Sequence, residues 1–196
     1  MTSSTNLVYI FTVAVIILTG YMMYRGTYEE VTFVRSSVDN KEYLVQNKAD
    51  KHEAANLLAT VKNNLSKLVK HVSEKYPVRS DVKRLKAKFN PDAITESSYR
   101  NKYTSYSINK GEKIVFCLRS RDEQQRLVDL NTIMFVATHE LAHVMTLSVG
   151  HTEEFWKNFK FLLHEAVQIN IYTETDYAAK PKEYCGLTIT HTPLHD

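Results

Sequence analysis

The first 24 residues contain no Asp, Glu, Lys or Arg, and no other feature restricts the chain's options as much. Residues 7–23 are mostly Val, Ile, Leu, Phe, Met and Tyr. As a helix this run reaches roughly 25–27 Å, near the lower limit for crossing the hydrocarbon core of a bilayer. A helix lying on a soluble domain shows a polar face, and this one shows almost none. The run therefore predicts a single-pass transmembrane anchor over residues 1–26, followed by a domain over 27–196. A cleaved signal peptide is the rival, but it normally carries a basic leading region and small residues at a cleavage site, and neither is evident. A buried core helix is the third option, disfavoured because terminal segments tend to lie outside the core.

The flank before the apolar run has no basic residue, whereas Arg25, Arg35 and Lys41 follow it. The positive-inside tendency then puts the C-terminal domain on the cytoplasmic side of the membrane. Only two cysteines are present, Cys117 and Cys185. They are too few for a disulfide framework, which predicts a reducing compartment. Asn64-Leu65-Ser66 fits a glycosylation sequon but falls in a helical stretch and is read as accidental.

Over the whole chain, 43% hydrophobic residues with only five Gly and four Pro exclude a disordered or linker-like chain. Residues 31–37 and 43–46 read as strands around an Asp39-Asn40 turn. Ala54, Leu57, Leu58, Val61, Leu65, Leu68, Val69 and Val72 recur at helical spacing up to Pro77, and a short helix is predicted over 81–88. Residues 103–108 and 113–118 read as strands joined by Asn109-Lys110-Gly111, and two helices follow over about 129–148 and 152–168, with Gly150 ending the first. The tail is predicted to be irregular with one short strand.

Charge is unevenly spread. Residues 62–88 hold nine Lys or Arg against Glu74 and Asp81, in a chain whose formal net charge is only +3. A solvated helix face explains this blandly; a surface for anionic headgroups is the sharper reading. The mild overall charge does not call for nucleic acid as a partner.

The chemistry-bearing stretch is His139-Glu140-Leu141-Ala142-His143. On a helix, side chains four apart project from one face on successive turns, so His139 and His143 can present two nitrogens to one metal ion. Glu140 then leans toward the open coordination position, where it can act as a general base. A catalytic zinc usually has three protein ligands and one position left for water. The predicted third ligand is His151, at the turn before an acidic helix start, Thr152-Glu153-Glu154. His164 is the fallback. His52, His71, His191 and His195 have no spacing argument and are assigned to the surface. Tyr184 and Tyr177 are candidate oxyanion donors, and Cys185 is an alternative fourth ligand that would close the site.

These residues carry a resemblance. The HELAH stretch followed by Gly150-His151-Thr152-Glu153-Glu154-Phe155 resembles the WLM and SprT-like zinc metallopeptidases, in which an HExxH helix is followed by a third His in an H-x-x-x-F context. The resemblance implies zinc ligands at His139, His143 and His151 and a catalytic base at Glu140. Residues 103–107, Asn109-Lys110-Gly111-Glu112-Lys113 and Tyr184-Cys185-Gly186 are further similar to small membrane-anchored metallopeptidase-like proteins of large DNA viruses of algae and protists. The expected fold is α+β and zincin-like, with a small antiparallel or mixed sheet above the active-site helix.

The function expected is zinc-dependent (Zn2+) hydrolysis of peptide bonds in a peptide or protein substrate, at a bilayer. The alternative is a membrane-tethered structural protein, such as one linking a virion's inner membrane to its capsid proteins, with a stabilising or vestigial zinc site. Cleaved substrates would favour the first, stoichiometric copies in a particle the second.

Overall fold

The apolar run folds as one helix that continues beyond its apolar part. In this computed structural model, which describes residues 2–195, α1 spans Thr2–Glu30. Its segment Asn6–Tyr24 is long and apolar enough to cross a membrane, and none of it is buried against the rest of the chain. Length and composition of this kind belong to an anchor or to a signal sequence. The Arg25 side chain, on which the predicted orientation leans, lies outside the described residues.

The chain passes directly from α1 into β1 (Val31–Arg35), which pairs antiparallel with β2 (Glu42–Gln46) from Val31↔Gln46 to Arg35↔Glu42. The predicted turn is closed by Asp39, whose carboxylate accepts the Lys41 N–H at 3.1 Å and the Tyr43 hydroxyl at 2.6 Å. α2 (Lys51–Lys75) buries Ala54, Leu58, Val61, Leu65, Leu68 and Val72, the face that the periodicity predicts. α3 (Ser80–Lys88) follows and buries Val82 and Leu85.

The central sheet has the order β3-β5-β4, from β3 (Ile94–Glu96), β4 (Tyr106–Ile108) and β5 (Lys113–Phe116). β3 runs parallel to β5, and β4 is the antiparallel edge. The sequence predicts a longer strand from 103 and none at 94–96. Residues 101–105 are drawn into a turn instead: Asn101 Oδ1 accepts the Tyr103 N–H at 3.0 Å, and Arg121 donates to the carbonyls of Asn101, Lys102 and Tyr103. β3 is too short to show alternation. A buried network locks it in place. Arg119 donates to Glu96 at 2.8 Å and to both carboxylate oxygens of Asp50, the residue before α2, at 2.7 and 2.6 Å. Glu96 in turn accepts the Gln46 N–H at 2.7 Å.

α4 (Leu130–Met145) packs against α2, α3 and α5 (Glu153–Gln168), and lies beside β4. Asp129 caps α4 by accepting the Thr132 N–H at 2.9 Å, satisfying one of the donors a helix start leaves open. The first of these two helices stops earlier than Gly150, at Met145, because side chains take over its last carbonyls: Arg84 donates to the Met145 oxygen and Lys110 to those of Thr146, Leu147 and Ser148. α5 is held to α2 through Glu165, which accepts from Lys75 at 2.9 Å and Tyr76 at 2.6 Å and lies 2.7 Å from His71. His71 is thus half-buried in a polar cluster rather than a free surface residue.

The tail forms a hairpin, β6 (Lys182–Tyr184) with β7 (Leu187–Ile189). Cys185 at φ 50° and Gly186 at φ 82° make its two-residue turn, the conformation such turns need. Cys117 and Cys185 are joined by a disulfide across 68 residues. This corrects two expectations. The step from two cysteines to a reducing compartment loses its premise, because the two are paired with each other. Cys185 is also not a metal ligand, because its sulfur is bonded to Cys117. The pairing depends on β5 and β6 meeting in space, which no local spacing reveals.

Candidate metal centre and cleft

α4 presents His139 and His143 on one face, and the turn into α5 brings His151 over them. The Nε2 atoms of His143 and His151 lie 3.2 and 3.0 Å from that of His139, and the three potential ligand atoms all fall within 4.8 Å of one another. Nitrogens each about 2.0–2.1 Å from one tetrahedral zinc ion sit about 3.3 Å apart, so the donor set fits such an ion. His164 is exposed on α5 and outside this cluster, as are His52, His191 and His195.

The ligand protonation states suit that role. Burial, followed by the neighbouring His143 and His151, holds His139 down at about 3, and burial with His151 and Lys110 nearby holds His143 at about 4. Both imidazoles are neutral at physiological pH, the form that coordinates metal. Glu140, 4% exposed, is pushed up to about 7 by burial, against the opposing effect of a hydrogen bond from the Ser107 backbone. A carboxyl poised there is matched to proton transfer near neutral pH.

Phe155 shapes the cluster from below. Its ring stacks on His143 at 4.3 Å between centroids and meets His139 at 4.8 Å and His151 at 4.7 Å edge-on. Phe155 is fully buried, one turn after His151, because Thr152 caps α5 and fixes its first turn. The loop carrying His151 is gripped from two sides. Lys110 donates to the Thr146, Leu147 and Ser148 carbonyls at 2.7, 2.9 and 2.6 Å, while Glu154 accepts the N–H groups of Leu147 and Ser148 at 3.0 and 3.1 Å. Those N–H donors, with the Ser148 hydroxyl, hold Glu154 down at about 2.

Lys110 reaches this position from an unusual turn. Asn109, Lys110 and Gly111 all have positive φ, at 47°, 55° and 108°. A Cβ on Gly111 would come 2.7 Å from the Lys88 carbonyl oxygen and 2.8 Å from Val144, so only glycine fits. Neither Lys110 nor Glu154 is singled out by the sequence as a site residue. The turn signal at Asn109-Lys110-Gly111 is the trace that points to the first, and the helix-start signal the trace that points to the second.

The cluster opens into a cleft of about 710 Å³ bordered by Tyr106, Ser107, Glu140, Tyr184 and Leu187 among others. β4 forms one wall and the β6–β7 hairpin another. Tyr184 lies in a closed relay: Cys117 N–H donates to Ser105 Oγ at 3.0 Å, Ser105 and Tyr184 hydroxyls meet at 2.6 Å, and Tyr184 donates to the Cys117 carbonyl at 2.8 Å. Its proton is therefore already engaged. Tyr177 is buried against Phe135 at 4.8 Å and does not border the cleft.

With fold and cluster in view, the chain belongs to the WLM domain family, which matches residues 38–192. It is similar to an uncharacterized protein of Acanthamoeba polyphaga mimivirus, 39% identical over 173 residues, which are 86% of this chain and 87% of that protein. An uncharacterized protein of invertebrate iridescent virus 6 is 34% identical over 99 residues, 49% of this chain and 53% of the relative. Among solved structures, Wss1 from Saccharomyces cerevisiae is similar with a TM-score of 0.48 and 23% identity, over 64% of this chain and 86% of that one. The resemblance drawn from the HELAH stretch and its flanks to WLM proteins and to proteins of large DNA viruses thus holds.

Proposed function

We propose that this WLM-family chain is a membrane-anchored, zincin-like zinc peptidase, with His139, His143 and His151 as the metal ligands. The observation that supports this most is the convergence of three imidazole side chains beside a buried carboxyl in one cleft. A zinc ion held by His139, His143 and His151 would supply Lewis-acid polarisation of a scissile carbonyl and acidify water. Glu140 takes the proton from the attacking water and passes it to the leaving amine. The free side of β4, the outer strand of the sheet, suits an extended peptide laid alongside it by strand addition. α1 tethers the domain to a bilayer.

Glu140→Gln tests the reading. It should leave zinc bound while lowering hydrolysis of an unfolded protein substrate by about 10²–10⁴-fold, the usual contribution of a general base. Unchanged hydrolysis would end the assignment. Stoichiometric zinc without turnover in either form would favour the tethered structural protein.

A further inference from the structure

Glu30 is the point at which α1 meets the folded body. Its carbonyl accepts the Asn47 N–H at 2.9 Å, and its carboxylate accepts the Arg100 N–H at 3.2 Å. The apolar span ends at Tyr24, six residues earlier, which is about 9 Å along a helix axis. The headgroup layer of a bilayer is about 5–8 Å thick on each side. Residues 99–103 are therefore tied to a point at the outer edge of the headgroup layer of the bilayer that α1 would cross.

The composition of this segment fits that location. Tyr99 and Tyr103 are 63% and 71% exposed and sit among Arg100, Lys102 and Lys48, whose ammonium lies 5.8 Å from the centre of the Tyr99 ring. Tyrosines sit at membrane–water interfaces, and basic side chains there meet anionic headgroups. The segment is held firmly, since Arg121 donates to three successive carbonyls, at 3.1 Å for Asn101, 3.3 Å for Lys102 and 3.1 Å for Tyr103. It also leads into the cleft wall: Tyr103 meets Tyr106 edge-on at 5.8 Å, and Tyr106 borders the cleft.

We infer that residues 99–103 form a docking surface for the headgroups of the same bilayer that α1 spans, setting the β4 wall of the cleft against the membrane. This rests on the reading of α1 as an anchor. The basic run over 62–88 is a different surface. α2 starts beside Asn47, to which Lys51 donates at 3.0 Å, and carries four of the nine basic residues, Lys62, Lys67, Lys70 and Lys75, from its middle to its far end, about 37 Å away for 25 residues, with the other five following over 79–88.

The test uses the full chain in phosphatidylcholine–phosphatidylserine vesicles, with Trp156→Phe removing the single native indole. An indole introduced by Tyr99→Trp should be quenched by lipids brominated high on the acyl chain, at least about threefold more than one introduced by Val78→Trp just beyond α2, a contrast expected for interfacial aromatic residues. Equal quenching at the two positions in protein that resists alkaline extraction would overturn the docking surface alone. Protein washed from the vesicles by alkali would overturn the anchor and the docking surface together.

Discussion

The ammonium of Lys110 lies 2.6 Å from the carbonyl oxygen of Ser148, three residues before His151. One side chain from the β4–β5 turn thus positions the loop that completes the histidine cluster. Supporting residues of this kind typically change metal affinity by 10–100-fold. Lys110→Met should weaken zinc binding by about that range, measured by competition with a chromophoric chelator. An unchanged affinity would show that the loop keeps its shape without the clamp.

The three-ligand assignment separates His151 from His164. His151→Ala should lower zinc affinity by at least about 100-fold, as loss of one of three protein ligands implies. His164→Ala, on an exposed face of α5, should leave it unchanged. The reverse pattern would move the third ligand to α5.

Metal-free protein should show opposing pH effects. His139 and His143 titrate at about 3 and about 4 when folded, below the unfolded value, so between about pH 6.5 and pH 4 the unfolded chain binds protons that the folded one does not, and stability falls as pH falls. Glu140 titrates at about 7 when folded, above its unfolded value near 4.5. Here the folded chain keeps a proton the unfolded one has released, so its contribution is lost as pH rises through that window. In chelator-treated protein, the Tm of Glu140→Gln minus that of the native chain should therefore increase from about pH 5 to about pH 8. A flat difference would mean that Glu140 is not held in its neutral form.

The Cys117–Cys185 disulfide closes a loop of 68 residues and fastens the β6–β7 wall of the cleft to β5. Reduction should cost about 2–4 kcal/mol of stability, seen as a Tm lowered by roughly 5–15 °C in calorimetry with and without a thiol reductant. No change would show that the wall is held by packing and by the Tyr184 relay alone.

Gly111→Ala would force a Cβ to within 2.7 Å of the Lys88 carbonyl oxygen at φ 108°. Strain and overpacking together should cost about 2–4 kcal/mol. Chemical denaturation would read this directly, and a loss below about 0.5 kcal/mol would show that the turn relaxes freely.

What the sequence reveals and what it hides divide along a physical line. His139, Glu140 and His143 are legible because a helix converts a four-residue spacing into a shared face. The buried stripe of α2 follows from the same periodicity. His151 is legible because the loop is short and Thr152-Glu153-Glu154 marks a helix start. Lys110, Glu96 and the Cys117–Cys185 pair are hidden because their partners are 36, 23 and 68 residues away in sequence, and only the closed fold sets them together. β3 is hidden because three residues are too few to show alternation, and the turn at 101–105 because side-chain hydrogen bonds override the local strand pattern.

The central claim is a cation on three imidazoles with an open fourth position. X-ray absorption of the purified full chain, combined with elemental analysis, addresses it most directly. The account predicts one zinc per chain bound by three imidazole nitrogens at about 2.0–2.1 Å and one oxygen from water. Protein that is free of transition metal, or whose metal is enclosed by four protein ligands, would contradict it.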